Sequence, residues 1–126
     1  VLFAGYSGSV LSAELKITMS GAQEIPPATT SATGSGTISV GADQSVSGSV
    51  TITGMSVTVA HIHEAAPGTN GSIIIPLTKT SENVWSVLAG AKLTDSQYKS
   101  YMAGNLYYNA HSTAYPGGEI RGQIKP

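Results

Sequence analysis

Residues 56–65 read SVTVAHIHEA. Their alternation predicts a β-strand with two distinct faces. Val57, Val59, His61 and His63 fall on one face, and Thr58, Ala60 and Ile62 on the other. Two of the chain's three histidines therefore point the same way, two residues apart. On a strand that spacing sets their Cβ atoms about 6.5–7 Å apart. The segment runs into APGTNG at 66–71, a turn rich in Gly and Pro. With no Lys and no following helix, that turn is not a phosphate loop.

The strand period recurs on both sides. Residues 14–20 (ELKITMS) place Leu15, Ile17 and Met19 on one face. Residues 21–34 form a loop, where the Pro26–Pro27 pair withholds ladder donors. Residues 36–40 and 45–54 predict a hairpin across GADQ, with Val46, Val50 and Ile52 sharing a face. Residues 72–77 (SIIIPL), 84–88 (VWSVL), 105–111 (NLYYNAH) and 117–124 (GGEIRGQI) add further short strands. One helix is expected near 94–103, with Thr94 as N-cap, Asp95 in the first turn and Gly104 at its stop. Leu93, Tyr98 (or Gln97), Tyr101 and Met102 approximate its apolar stripe. About eight short strands with regular turn signals predict an all-β fold, a Greek-key antiparallel β-sandwich or barrel.

Length and composition bound the function. A chain of 126 residues is one domain and can bury a core without staples. It has no cysteine, so disulfides and thiolate metal sites are excluded. Only 10% of residues are charged and the net charge is −1, with no basic patch for nucleic acid and no charge run for a membrane surface. The seven acids are scattered, so no calcium cluster is expected. Abundant Ser, Thr, Gly and Ala with little Lys or Glu suit a secreted protein, extracellular or periplasmic. Residues 1–13 (VLFAGYSGSVLSA) are an apolar arm broken by Gly and Ser, too short for a transmembrane helix. They read as the tail of a signal peptide ending at Ala13, although Leu11 is large for such a site, or as an assembly strand. The domain proper is 14–126.

Three stretches resemble the CHRD (chordin) domain family in order: SGAQEIPPATTSATGSG at 20–36, AHIHEAAPGTNGSIIIPL at 60–77 and GNLYYNAHSTAYPGGEIRGQI at 104–124. The resemblance spans about 14–124 and implies an exported β-sandwich. The arrangement also resembles, more distantly, copper-zinc superoxide dismutase, in which a His-x-His strand and a later strand histidine hold copper. That resemblance implies His61, His63 and His111 as the copper ligands. The dismutase's zinc site needs a further bridging histidine and a long loop, and three histidines cannot supply it.

The residues themselves support a metal set. Two strand imidazoles two apart can converge on one ion at bonds of about 2.0 Å, and a neighbouring strand can add the third. His111 follows Tyr107 and Asn109 on one face of its strand. All-nitrogen ligation suits copper first and zinc after it. The alternative is three inert strand histidines. Asn109 and Glu119 are candidates to support the ligands from behind, and Glu64 reads as a solvated turn carboxylate. Arg121, the single arginine, either attracts an anion to the site or forms an ion pair with Glu24 or Glu119. Tyr107 and Tyr108 read as core and rim aromatics. No Ser-His-Asp set can be placed.

Two functions follow. One is a copper-binding exported protein with superoxide dismutase-like activity. The other is a non-enzymatic extracellular subunit that self-assembles into a fibre or matrix by donating residues 1–13 as a strand.

Overall fold

The computed structural model describes residues 14–126, so the N-terminal arm, residues 1–13, lies outside the described residues. Nine strands form among the described residues: β1 (Leu15–Ser20), β2 (Thr33–Val40), β3 (Val46–Thr53), β4 (Val59–Glu64), β5 (Ser72–Pro76), β6 (Thr78–Ser81), β7 (Val84–Ser86), β8 (Leu106–His111) and β9 (Ile120–Ile124). A 3-10 turn at Gly21–Gln23 follows β1, and one helix, α1 (Asp95–Met102), precedes β8. The strand beyond the expected eight is β6. Its four residues, TKTS, are all exposed and carry no apolar alternation to announce them.

All pairings are antiparallel and run in the order β5-β4-β8-β9-β1-β2-β3-β7-β6. β1–β2–β3, β4–β5, β6–β7 and β8–β9 pair as sequence neighbours, while β8 also pairs with β4, β9 with β1 and β3 with β7. Where β9 meets β1 the ladder narrows to Ser20 opposite Arg121. The sheet as a whole is nearly barrel-shaped.

The inward faces are those the alternation requires. Ile17 and Met19 of β1, Val50 and Ile52 of β3, Ala60 and Ile62 of β4, and Leu106, Tyr108 and Ala110 of β8 share one core. Each large apolar side chain fully buried there contributes roughly 1.5–3 kcal/mol. Tyr108 crosses the core, and its hydroxyl donates to the Thr37 carbonyl of β2 at 2.9 Å. The β4 face opposite Ala60 and Ile62 carries His61 and His63, so the strand period separates core from site.

Thr94 caps α1 in a reciprocal capping box with Gln97, and Gly104 takes the positive φ that ends it. Leu93 and Tyr101 are buried and Tyr98 packs against the core, but Met102 is 58% exposed. Met102 is one position beyond Tyr101, and a helical step of about 100° per residue turns it off the core face.

Candidate metal centre

The register of β4 on β8 places Val59 opposite His111, His61 opposite Asn109 and His63 opposite Tyr107. All these side chains but one, Val59, belong to the site, and all six share the outer face. Their ring centroids lie 5.4 Å apart for His61–His63, 5.1 Å for His61–His111 and 6.1 Å for His63–His111. One ring nitrogen from each histidine lies within 4.8 Å of the other two. Two metal–nitrogen bonds of about 2.0 Å span at most about 4 Å, so the widest pair must close by roughly 1 Å.

Hydrogen bonds set which nitrogens face inward. His63 Nδ1–H donates to the Gly71 carbonyl at 2.9 Å, and His111 Nδ1–H donates to the Pro116 carbonyl at 2.9 Å. A carbonyl only accepts, so each Nδ1 carries the proton and each Nε2 keeps a lone pair. Those two Nε2 atoms, with His61 Nδ1, are buried and have no partner. The only other such side-chain atom among the described residues is Asn109 Oδ1. All four orphans belong to this one cluster. Buried polar atoms are normally paired, so acceptors gathered without a donor mark a place for a cation. Burial, then the neighbouring imidazoles, depress the basicity of His61; burial chiefly does so for His63, against its bond to Gly71. Both rings are thus held in the neutral form that binds metal.

Loops fix the rings. Gly71 closes the 65–71 loop against β4, and a Cβ there would lie 1.8 Å from the Glu64 carbonyl oxygen. Only glycine permits that approach, which carries the Gly71 carbonyl to His63. The Gly71 N–H in turn donates to the Tyr107 hydroxyl at 3.0 Å. Tyr107 stacks on His63 with centroids 4.9 Å apart and planes 8° apart. Arg121 Cζ sits 3.5 Å from the centre of the same Tyr107 ring.

Arg121 is 1% exposed. Its Nη1 donates to the Thr69 carbonyl at 2.8 Å, and its Nη2 to the Ala66 carbonyl at 3.2 Å and to Gln123 Oε1 at 2.9 Å. The ion pair considered from sequence, to Glu24 or Glu119, is replaced by these carbonyl bonds; Glu24 feels the charge only through space. A guanidinium so enclosed holds the loop that holds His63, and does not face outward to draw in an anion.

Asn109 lies within the cluster, 2% exposed. Its Nδ2 donates to Glu24 Oε2 at 2.5 Å. Glu24 is 4% exposed. Burial pushes its carboxyl up to about 7, against the lowering by Arg121 and Asn109. Gly118 has a φ of 128°, and a Cβ there would meet Asn109 Nδ2 at 2.5 Å and Glu24 Oε2 at 2.6 Å. Glu119 does not reach an imidazole. Its oxygens accept from Thr30 Oγ1 at 2.5 Å and Ser112 Oγ at 2.6 Å, which ties the 112–118 loop to the β2 approach. Glu64 is half-buried at the end of β4. Of the residues singled out from sequence, the structure gathers His61, His63, His111 and Asn109, and sets Glu119 and Arg121 behind them. Sequence reasoning missed Glu24 as a neighbour of Asn109, and the Gly71 and Pro116 carbonyls. A lone carboxylate before a Pro pair was the available signal for Glu24; backbone acceptors leave none.

His63 is buried and His61 and His111 are half-buried, so the cluster opens on the side of the latter two. No helix among the described residues is long and apolar enough to cross a membrane. No curated protein and no solved structure matches the chain. The family model of the CHRD domain matches residues 15–124, which hold all three histidines and the loops that orient them, and the chain belongs to the CHRD domain family.

Proposed function

We propose that this is an exported CHRD-domain protein that binds one copper ion through His61, His63 and His111. The carrying observation is the set of three buried, unpartnered ring nitrogens within 4.8 Å of one another, two of them fixed as acceptors by carbonyls behind their rings. Copper stands ahead of zinc because the donors are all imidazole and copper(II) heads the divalent affinity order. Bound copper would supply one-electron redox chemistry at an open position, and superoxide dismutase-like turnover is the activity this reading carries. The protein's own part is to keep the His61 and His63 imidazoles neutral, to fix His63 and His111 from behind, and to leave the His61–His111 side open.

Metal uptake tests this directly. The full chain should bind one equivalent of copper(II), and His61→Ala should lose stoichiometric uptake; unchanged uptake by that variant refutes the site. Superoxide consumption by the copper-loaded protein, above that of the same variant, tests turnover separately.

A second reading rests on the sheet edges. Among the described residues β5 and β6 end the sheet, and Ile73 on β5 is 52% exposed. An apolar strand donated by residues 1–13 of another copy would cover such an edge. Deleting 1–13 should then abolish self-association in sizing experiments, and an unchanged assembly state refutes it. The two readings are compatible, because the histidines lie on the β4–β8 face and not on an edge.

A further inference from the structure

We infer that Asn109 positions the ligand at the open coordination position, accepting a hydrogen bond from it through Oδ1 and so selecting small oxygen ligands that carry a hydrogen. The inference rests on the metal site proposed above.

The amide has one orientation. Its Nδ2 faces the Glu24 carboxylate and, at 3.4 Å, the Ile120 carbonyl. The Ile120 carbonyl can only accept, so the NH2 end fits there and Oδ1 faces the other way. That way lies the histidine cluster. Asn109 is directly opposite His61 in the ladder, on the same outer face as the neighbouring His63–Tyr107 pair. Yet Oδ1 has no hydrogen-bond partner, and the residue is only 2% exposed.

A metal bound to the three nitrogens satisfies those nitrogens and leaves Oδ1 still unpaired. With their lone pairs on the metal, those ring nitrogens carry no hydrogen to donate to it. A water, hydroxide or hydroperoxide on the metal has the missing hydrogen. Such a ligand completes the coordination and satisfies the amide together. A ligand without a hydrogen, such as azide, instead sets its lone pairs against Oδ1. Direct coordination by the amide oxygen is the poorer match, because carbonyl oxygens suit harder cations than copper. Glu24 and Gly118 are then parts of the same device. Glu24 anchors the NH2 end, and the bare Gly118 leaves room for that contact.

Azide titration of the copper(II)-loaded full chain tests this, read by the azide-to-copper charge-transfer absorbance and by electron paramagnetic resonance. Asn109→Ala and the bulkier Asn109→Val both remove the acceptor, and should bind azide about tenfold more tightly, the equilibrium weight of one hydrogen bond to a charged centre. Asn109→Asp keeps an oxygen in place and should bind azide no more tightly than the wild type. All should take up one copper. Azide affinity in the Ala and Val variants within about twofold of wild type overturns the inference. Equal tightening in the Asp variant also overturns it, by assigning the effect to a loosened site. Loss of copper from the Ala and Val variants would make Asn109 a ligand itself and overturn it likewise. Failure of the wild type to bind copper removes the metal reading and this inference together, and so is distinct from the other outcomes.

Discussion

Replacing Glu24 by Gln should stabilise the metal-free protein at alkaline pH and leave it unchanged at acid pH. Glu24 is 4% exposed, and Asn109 donates to one of its oxygens. Burial raises the carboxyl from its ordinary 4.5 to about 7, although Arg121 and the Asn109 bond act in the opposite direction. The folded protein therefore holds this proton more tightly than the unfolded chain does. The resulting stability is complete below about pH 4.5 and is lost as pH rises through about 7. A displacement of that size is worth about 3 kcal/mol, and solvent screening near the loop surface reduces it to about 2 kcal/mol. Gln keeps the acceptor for Asn109 Nδ2 and cannot ionise, so it removes the loss. For a domain of this length about 2 kcal/mol corresponds to roughly 8 °C in Tm. Thermal or urea unfolding between about pH 4 and about pH 8 reads the difference between variant and wild type, and contributions from His61 and His63 cancel in it. The curves should coincide at the acid end and separate to that gap at the alkaline end. A gap that does not vary with pH, or a Gln variant less stable than wild type at about pH 8, refutes the reasoning.

Copper(II) at a hundredfold excess over its dissociation constant should stabilise the fold by about 2.7 kcal/mol, a rise of roughly 10 °C in Tm that a chelator reverses and that His111→Ala does not show. Arg121→Ala should cost about 3 kcal/mol in urea unfolding, because it strips charged donors from the Thr69 and Ala66 carbonyls and packing from Tyr107. It should also weaken copper binding measured by calorimetry, since the 65–71 loop carries the Gly71 carbonyl that orients His63. Gly118→Ala should destabilise by about 1–3 kcal/mol, from its positive φ and the approach of its Cβ to Asn109 and Glu24. Metal-free unfolding checks it, and no loss of stability would show that the contact relaxes freely.

The strand-borne part of the site was legible because a strand has a period of two. His61 and His63 had to share a face once 56–65 was read as a strand, and His111 had to share one with Asn109 and Tyr107. Which strand lay beside which was not legible from the period. The dismutase resemblance implied only that His111 joins His61 and His63, and the β4–β8 ladder is what brings the three together. β6 escaped because TKTS is exposed on both faces and owes its strand form to pairing with β7. Met102 was misplaced because one helical step separates a buried position from an exposed one. Arg121 was the hardest to place. From sequence, a lone arginine looks for a carboxylate or an anion, whereas here its partners are carbonyls of a loop more than fifty residues away.

The outer face of β4 and β8 answers why the cluster can exist without weakening the core. Ala60, Ile62, Tyr108 and Ala110 bury one face of these strands, and the histidines with Asn109 occupy the other. An unsatisfied acceptor on the inner face would oppose the packing that holds the barrel together. On the outer face it is enclosed only by loops, which are themselves anchored by Arg121, Gln123 and Tyr115. The destabilisation of four unpaired acceptors therefore falls on loop closure and not on the sheet. A cation in their midst removes the share of the three ring nitrogens where it arises, so metal binding should tighten the 65–71 and 112–118 loops while leaving the strand ladders as they are. That locality also separates the roles of the two residue sets. Ligands on the strands set where the ion sits, and the loop carbonyls of Gly71 and Pro116 set which lone pairs meet it.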